Sequence, residues 1–555
     1  MRNFSALLSA LLLCALLLTG CGQAAAPAEA PTDALDRTGR YHLTASGEAI
    51  LDAPAFPEEL PDDNYLVFYE IFTGSFSDSN GDGVGDLRGV INRLDYLNDG
   101  DPASGLSLGA EGIWLTPIFE SPSYHKYDVT DYYAIDDAFG TEADLRELIE
   151  QCHARGVKLI LDLPINHTGD RCAWFGQFKT AHKAGNTDDP YYSFYSYVTP
   201  GDGGSAPAGY RQIDGTGDWY ECNFSDSMPE LNFDSEAVRE ELVKVAKHYL
   251  DLGVDGFRFD AAKYVYFGDN GRSSDFWDWY LAQLRAVKPD LYAVAEVWDS
   301  DGVTDEYYSA VNCFDFTTSQ TSGLIAATAQ HGDVDGYTAY VDRYLDRIRA
   351  IRADAMIVPF IANHDTDRAA GYLTVASGNM KVAANLYLLS SGSPFLYYGE
   401  ELGMRGSRGG ADTDANRRLA MLWGDGDTVK DPEGANYDPA KQIDTTVADQ
   451  AADGGSLYSY YKQLLMIRAA HPAIARGDYT PVSVPDSKLG GFVADWEGSR
   501  VCVLHNTTLN SRDLNLSELG LSEFTALSAF IGVEDASLSD GVLHLGGQTS
   551  AVLVP

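Results

Sequence analysis

The chain has 555 residues, too many for one ordinary domain but suited to a large barrel with one or two small accessory domains. Hydrophobic residues make up 45% of it, which excludes wholesale disorder. Against 39 Lys and Arg stand 82 Asp and Glu, and the resulting net charge of -43 repels nucleic acid and anionic lipid while suiting a neutral substrate.

Residues 1–21 read as a secretion signal. Arg2 supplies the positive start, and the apolar run Ala6–Leu18 is short for a membrane span. The run closes on Leu18-Thr19-Gly20-Cys21, which resembles a bacterial lipobox. Cleavage before Cys21 would leave that residue to carry lipid. No later segment is long and apolar enough to cross a bilayer, so lipid at Cys21 is the one expected anchor. The expected location is the bacterial cell envelope, facing outward. Residues 22–60, rich in Ala, Pro, Asp and Glu, read as a flexible tether.

Strands and helices then alternate. Tyr65–Ile71 reads as a strand, Leu87–Leu97 as a helix, Gly112–Ile118 as a strand, Glu142–Arg155 as a helix and Val157–Ile165 as a third strand. A stretch from His167 to Asn232, rich in Gly, Tyr and Asp, interrupts the rhythm. It resumes with a helix opened by Ser235 and stopped by Gly253. Strands at Gly253–Phe259, Leu291–Val297, Asn312–Phe316, Ala355–Ile361 and Pro394–Tyr398 bring the total to eight. Helices at Phe276–Val287, Tyr337–Ile351 and Met380–Leu389 separate several of them. No Gly-rich phosphate loop follows the first strand, which favours a closed (β/α)8 TIM barrel over a doubly wound sheet. The expected organisation is a barrel over 61–166 and 233–473, an insert over 167–232, and a C-terminal β-sandwich over 474–555.

Beyond Cys14 and Cys21 the chain carries Cys152, Cys172, Cys222, Cys313 and Cys502. Cys172 and Cys222 flank the insert and are the pair to test for a disulfide. No Cys or His spacing reads as a zinc site.

In a TIM barrel the chemistry sits at the C-terminal ends of the strands. There the chain places Asp260, Glu296 and Asp365. Arg258 and Asp260 are two apart on a strand and share a face, so the guanidinium is expected to favour the ionised form of Asp260. Glu296 lies in Val294-Ala295-Glu296-Val297-Trp298, an apolar setting that raises a carboxyl pKa. Two carboxyls with opposed environments are the equipment of a glycosidase.

At these residues the chain resembles the α-amylase family of glycoside hydrolases. Asp162-Leu163-Pro164-Ile165-Asn166-His167, Gly256-Phe257-Arg258-Phe259-Asp260-Ala261-Ala262-Lys263 and Ala362-Asn363-His364-Asp365 are similar to its motifs. So are Tyr124-His125-Lys126-Tyr127-Asp128 and Met228-Pro229-Glu230-Leu231-Asn232. The resemblance implies that Asp260 is the nucleophile, Glu296 the acid/base and Asp365 the stabilising third carboxylate. It also implies sugar contacts from Tyr127, stacking beneath the cleaved unit, and from His167, Arg258, Lys263 and His364. The implied partner is an α-glucan or maltooligosaccharide, and a monomer is expected.

Tyr264 follows Lys263 where many family members carry His, which bears on leaving-side contacts. The segment at Met228 is intermediate between oligo-1,6-glucosidase-like and neopullulanase-like relatives. Ala261 is the small residue typical of α-1,4 cutters. Trp174, Tyr191, Tyr192, Tyr195, Trp219 and Tyr220 in the insert read either as sugar platforms or as packing.

Asp78, Asn80, Asp82 and Asp86, with the carbonyl of Val84 and Gly83 at the sixth position, resemble the first part of an EF-hand loop. Position twelve is Gly89, so the loop is no EF-hand. Family members with this loop bind calcium, or magnesium, and a structural ion is expected here. Three functional readings remain at this level: an α-amylase; an α-glucosidase, cyclomaltodextrinase, neopullulanase or 4-α-glucanotransferase; and an inactive glucan-binding surface lipoprotein. In a bacterial host Cys21→Ser is expected to abolish lipid labelling and membrane fractionation of the protein; labelling that persists contradicts the lipobox.

Overall fold

The computed structural model describes residues 62–101, 104–201, 207–409 and 413–555. The signal, Cys21 and the tether lie outside the described residues. Seven strands form one parallel sheet, in the spatial order Asn312–Cys313, Tyr292–Ala295, Gly256–Phe259, Lys158–Leu163, Gly112–Leu115, Phe68–Ile71 and Phe395–Tyr397. The strand expected at Ala355–Ile361 is instead one parallel bridge, Val358 with Phe314. Pro359 has no N–H to give to a ladder. The segment still joins both neighbours: Asp315 N donates to Val358 O at 3.0 Å and Phe395 N to Pro359 O at 2.9 Å. It thereby completes the (β/α)8 barrel as an irregular eighth stave.

Side-chain alternation along these strands makes two cores. Val67, Tyr69 and Ile71 face the surrounding helices, whereas Phe68, Trp114, Ile160, Tyr292, Val294 and Phe395 fill the barrel interior. Two glycines make that interior layer possible. A Cβ on Gly112 would lie 2.4 Å from the Phe68 ring, and one on Gly256 would lie 1.9 Å from the carbonyl oxygen of Tyr292. The same inward register, two residues further along, delivers Glu70, Asp162, Arg258 and Glu296 to the barrel mouth.

Helix boundaries follow local chemistry. Thr141 and Asp144 form a capping box at the start of Glu142–His153. Ser235 occupies the N-cap of Glu236–Leu252 with extended backbone but makes no side-chain cap bond, contrary to expectation. Gly253, at φ 111°, ends that helix in the left-handed region. The expected helix Leu87–Leu97 breaks at Arg93 into Leu87–Asn92 and Leu94–Leu97.

The insert carries the helix Ala173–Ala184 and a three-stranded sheet of Tyr197–Val198, Trp219–Glu221 and Tyr210–Gln212. Cys172 and Cys222 are both free and buried, so the disulfide does not form. The Cys172 thiol neighbours Thr168 and Tyr195, whereas Cys222 sits among Asp226, Arg211 and Glu230. After the barrel come a five-stranded and a three-stranded antiparallel sheet enclosing Leu489, Cys502, Leu504, Phe530, Leu543 and Leu553. Asn385 ties this unit to the barrel by donating to Ser550 Oγ at 2.9 Å and Ile531 O at 3.2 Å.

Candidate active site

Arg258 is fully buried at the barrel mouth. Its Nη1 donates to Asp162 Oδ1 at 2.8 Å and to Asp260 Oδ1 at 2.6 Å, and its Nη2 donates to Glu296 Oε2 at 2.8 Å. The Trp114 ring lies 5.2 Å from the guanidinium carbon. One cation therefore gathers three carboxyls from three neighbouring strands.

Burial raises the Asp260 carboxyl above its ordinary range, and the opposing pull of Arg258 does not cancel the rise. Arg258 does favour the ionised form of Asp260, as expected, but desolvation and the nearby Asp162 and Asp365 outweigh it. Burial also lifts Glu296 to about 7, despite Arg258 and the Ala261 amide 3.1 Å from Oε2. Ala261 aims that amide by adopting φ 48°, a left-handed backbone that is costly for a residue with a side chain.

Asp365 behaves oppositely. Burial would raise it, but His364 and Arg418 hold it well below the carboxylate range. His364 Nε2 lies 3.0 Å from Asp365 Oδ2, and Arg418 Nη2 donates to Asp365 Oδ1 at 2.7 Å. On its other side His364 Nδ1 meets Glu70 Oε1 at 2.5 Å. Burial lowers the imidazole pKa, but Asp365 and Glu70 together overcome that and push it up to about 10. Tyr127 donates its hydroxyl to Asp162 Oδ2 at 2.8 Å, and its ring stacks on His364 at 5.5 Å.

Asp260, Glu296, Asp365, Tyr127 and Arg418 line a cleft of about 610 Å³ with His167, Lys263, Tyr264, Phe224, Trp298 and Asp414, and Arg258 and His364 lie buried behind them. His167 is buried and neutral, its pKa lowered to about 4 by burial, and neither ring nitrogen has a hydrogen-bond partner in the protein. Lys263 Nζ is held by Trp298 O at 2.7 Å and Asp299 Oδ2 at 3.0 Å. A second cavity, of about 480 Å³, opens beside Leu66, Glu111 and Lys158 at the N-terminal ends of the strands and contains none of this chemistry.

All eight sequence-predicted residues (Asp260, Glu296, Asp365, Tyr127, His167, Arg258, Lys263 and His364) converge here. Sequence reading missed Glu70 and Arg418. Glu70 had a signal, as an inward-facing acid at the end of a strand; Arg418, on a long loop, had none. None of the six aromatic residues of the insert singled out above lines the cleft. Tyr195, for example, packs on Phe175 and Phe178.

The loop after the first strand lies apart from this cleft. Asp78 accepts amide hydrogens from Asn80, Gly81 and Gly83 at 2.7–3.0 Å and the Thr428 hydroxyl at 2.6 Å. Asn80 Oδ1 accepts from Asp82 N, Asp82 Oδ1 from Val84 N, and Asp86 Oδ1 caps the helix Leu87–Asn92 through Gly89 N at 2.6 Å. The donors are hard oxygens, the type calcium takes. Among the described residues, however, no three His, Cys, Asp or Glu side chains are gathered as for a bound metal.

Replacing Arg258 by Met leaves Asp162, Asp260 and Glu296 without their counter-charge. Removing one partner of a buried ionic cluster costs about 3–5 kcal/mol. The carboxyl pKa values then rise further, so the folded state binds more protons than the unfolded one and stability falls as pH rises. Arg258→Met is expected to lose more melting temperature at pH 8 than at pH 5; equal losses would refute the charge-gathering role.

Comparison with known proteins places this geometry. Residues 70–477 match the family model described as alpha amylase, catalytic domain. Alpha-amylase 3 of Dictyoglomus thermophilum is 34% identical over 445 residues, covering 79% of this chain and 84% of the relative. A 4-alpha-glucanotransferase of Thermotoga neapolitana is 34% identical over 353 residues, covering 61% of this chain and 72% of the relative. The solved structure of Eubacterium rectale Amy13B superposes with a TM-score of 0.81 at 34% identity, covering 90% of this chain and 97% of that one. The chain is a glycoside hydrolase and belongs to the alpha-amylase catalytic-domain family.

Proposed function

We propose that this protein hydrolyses α-1,4-glucosidic bonds of starch-type glucans and maltooligosaccharides with retention of the α-configuration. The carrying observation is that Asp260 and Glu296 bond two nitrogens of one guanidinium. Such sharing keeps the two carboxyls close together, which suits the separation of about 5–5.5 Å in retaining enzymes.

In the first step an Asp260 oxygen attacks the anomeric carbon while the bond to the leaving oxygen breaks. That oxygen takes the proton of Glu296, whose pKa of about 7 leaves much of it protonated near neutrality. In the second step water attacks the same carbon, gives its proton to Glu296, and the Asp260 oxygen departs. Asp365, held anionic by His364 and Arg418, faces the positive charge that develops on the sugar. His167, whose ring nitrogens have no partner in the protein, presents them to hydroxyls of the cleaved unit, and His364 holds Asp365 in place. At Ala261 a larger β-branched residue would strain the left-handed backbone and narrow the cleft, which supports α-1,4 over α-1,6 preference.

Glu296→Gln and Asp260→Asn are expected to lower turnover by several orders of magnitude with the fold intact, because each acts mainly in the transition state. Since Glu296 must start protonated, kcat/KM is expected to fall as pH rises through about 7. Proton NMR of the first product released from maltoheptaose is expected to show the α-anomer; a β-anomer appearing first would sink the mechanism. Maltoheptaose and isomaltose assayed side by side test linkage, and longer sugars accumulating instead of shorter ones would mean transfer.

We further propose a structural calcium ion at the loop of Asp78, Asn80, Asp82, Val84 and Asp86. What supports it is the set of hard oxygen donors. A cation bound only by the folded state raises its stability by mass action. Chelation is expected to lower the melting temperature of the wild-type protein and to leave Asp82→Ala little changed; identical wild-type melts with and without chelator would defeat the proposal.

A further inference from the structure

Arg418 reaches Asp365 from a loop, and a loop aims a long side chain reproducibly only where its own backbone is held. The two carbonyls that flank Arg418 are both gripped. The Arg417 carbonyl accepts from Arg368 Nε at 2.9 Å and from the Tyr397 hydroxyl at 3.1 Å. The Leu419 carbonyl accepts from the Tyr398 hydroxyl at 2.6 Å. Between these fixed points Arg418 donates to His364 O and to the Tyr124 hydroxyl, each at 3.0 Å, as well as to Asp365.

Arg368 is the costly member of this clamp. It is only 2% exposed, and its other hydrogen bonds also go to the main chain: Nη1 donates to Tyr398 O at 2.6 Å and its amide to Gly406 O at 2.9 Å. Among the described residues its Nη2 has no partner. Its guanidinium carbon lies 4.4 Å from the Tyr397 ring and 4.5 Å from the Tyr398 ring. A buried cation resting on carbonyls and ring faces, with no carboxylate among these bonds, costs the fold free energy. What the guanidinium supplies in return is a rigid fork. It joins the end of the last strand, through Tyr398 O, to the loop, through Arg417 O. Two glycines leave room for it: a Cβ on Gly399 would lie 3.2 Å from Arg368 Nη1, and one on Gly406 would lie 3.3 Å from its Cδ.

We propose that Arg368 is a positioning residue for the reaction, setting Arg418 against Asp365 through the Arg417 carbonyl. The assignment rests on the glucan-hydrolase reading above. Arg368 does not line the cleft. It acts through Arg418, whose cation helps to keep Asp365 anionic and aimed at the charge that develops on the sugar. A misplacement of about 1 Å at a reacting centre costs on the order of 100-fold in rate, so slack in this loop is felt in turnover.

The full-length protein, Arg368→Met, Arg418→Met and the double variant are compared on maltoheptaose. Arg368→Met is expected to lower kcat by about tenfold or more with KM within about twofold, because the interaction it weakens is made in the transition state. In the Arg418→Met background the same change is expected to cost less than about twofold, since the group it positions is gone. Losses that multiply in the double variant overturn the proposal, as does wild-type kcat in Arg368→Met. Arg368→Lys keeps the charge and the stem without the fork, and it takes the place of Arg368→Met in every comparison if that variant does not fold. If the wild-type protein cleaves no glucan, the hydrolase reading falls and the crystal structure of the Arg368 variant decides. Arg418 Nη2 out of hydrogen-bond reach of Asp365 upholds the positioning role, and Arg418 in its wild-type place overturns it.

Discussion

A guanidinium with no exposure to water is expensive to keep charged, and Arg258 is tolerated because three carboxyls surround it. The arrangement is reciprocal. Without Arg258 the carboxyls of Asp162, Asp260 and Glu296 would repel one another across a desolvated space, and without them the cation would be stranded. Because the attraction is shared three ways, no single carboxyl is fully compensated, and burial still lifts all three. Asp365 is different because it has its own cations, His364 and Arg418. Proton affinities in one cleft are thereby separated: one carboxyl is firmly ionised and another sits near neutrality. That separation is what acid catalysis at ordinary pH requires.

The scaffold makes the cluster through strand register. Phe68, Trp114, Ile160 and Val294 pack as an apolar layer inside the barrel, and the polar residues two positions later form the next layer up. The apolar floor is what desolvates the charges above it. Gly112 and Gly256 matter to function for this reason: they leave room for the floor, and the floor fixes the height of the chemistry. The eighth stave departs from the pattern because Pro359 interrupts it, and the turn that follows brings His364 and Asp365 to the mouth. That turn is held by Asp365 N donating to Asn363 Oδ1 at 3.0 Å.

Much of the cleft wall is built by residues outside the barrel strands. The insert contributes His167, Phe224 and Met228 to the cleft wall, and the long loop after the last strand contributes Asp414 and Arg418. The insert's other aromatic rings serve mainly to hold it together: Trp174 stacks on Tyr132 at 5.5 Å and Tyr192 on His182 at 3.9 Å. Its buried cysteines stay reduced in separate environments, so aromatic packing holds it without a disulfide cross-link.

The barrel was legible in eight apolar runs, several of them separated by helices, and so were the positions of Asp260, Glu296 and Asp365, because strand ends and short motifs are local features. It also identified Arg258 as a neighbour of Asp260, since residues two apart on a strand share a face. Glu296's raised pKa was legible from its apolar flanks. Tertiary structure alone decided the rest. Arg418 reaches Asp365 from 53 residues away, and Glu70 reaches His364 from 294 residues away, separations no local pattern encodes. The proton affinity of Asp260 was misjudged from sequence because it is a balance between burial and several charges, and burial exists only in the folded chain. The fates of Cys172 and Cys222 and of the insert's aromatic rings turned on packing geometry, which composition and spacing do not contain.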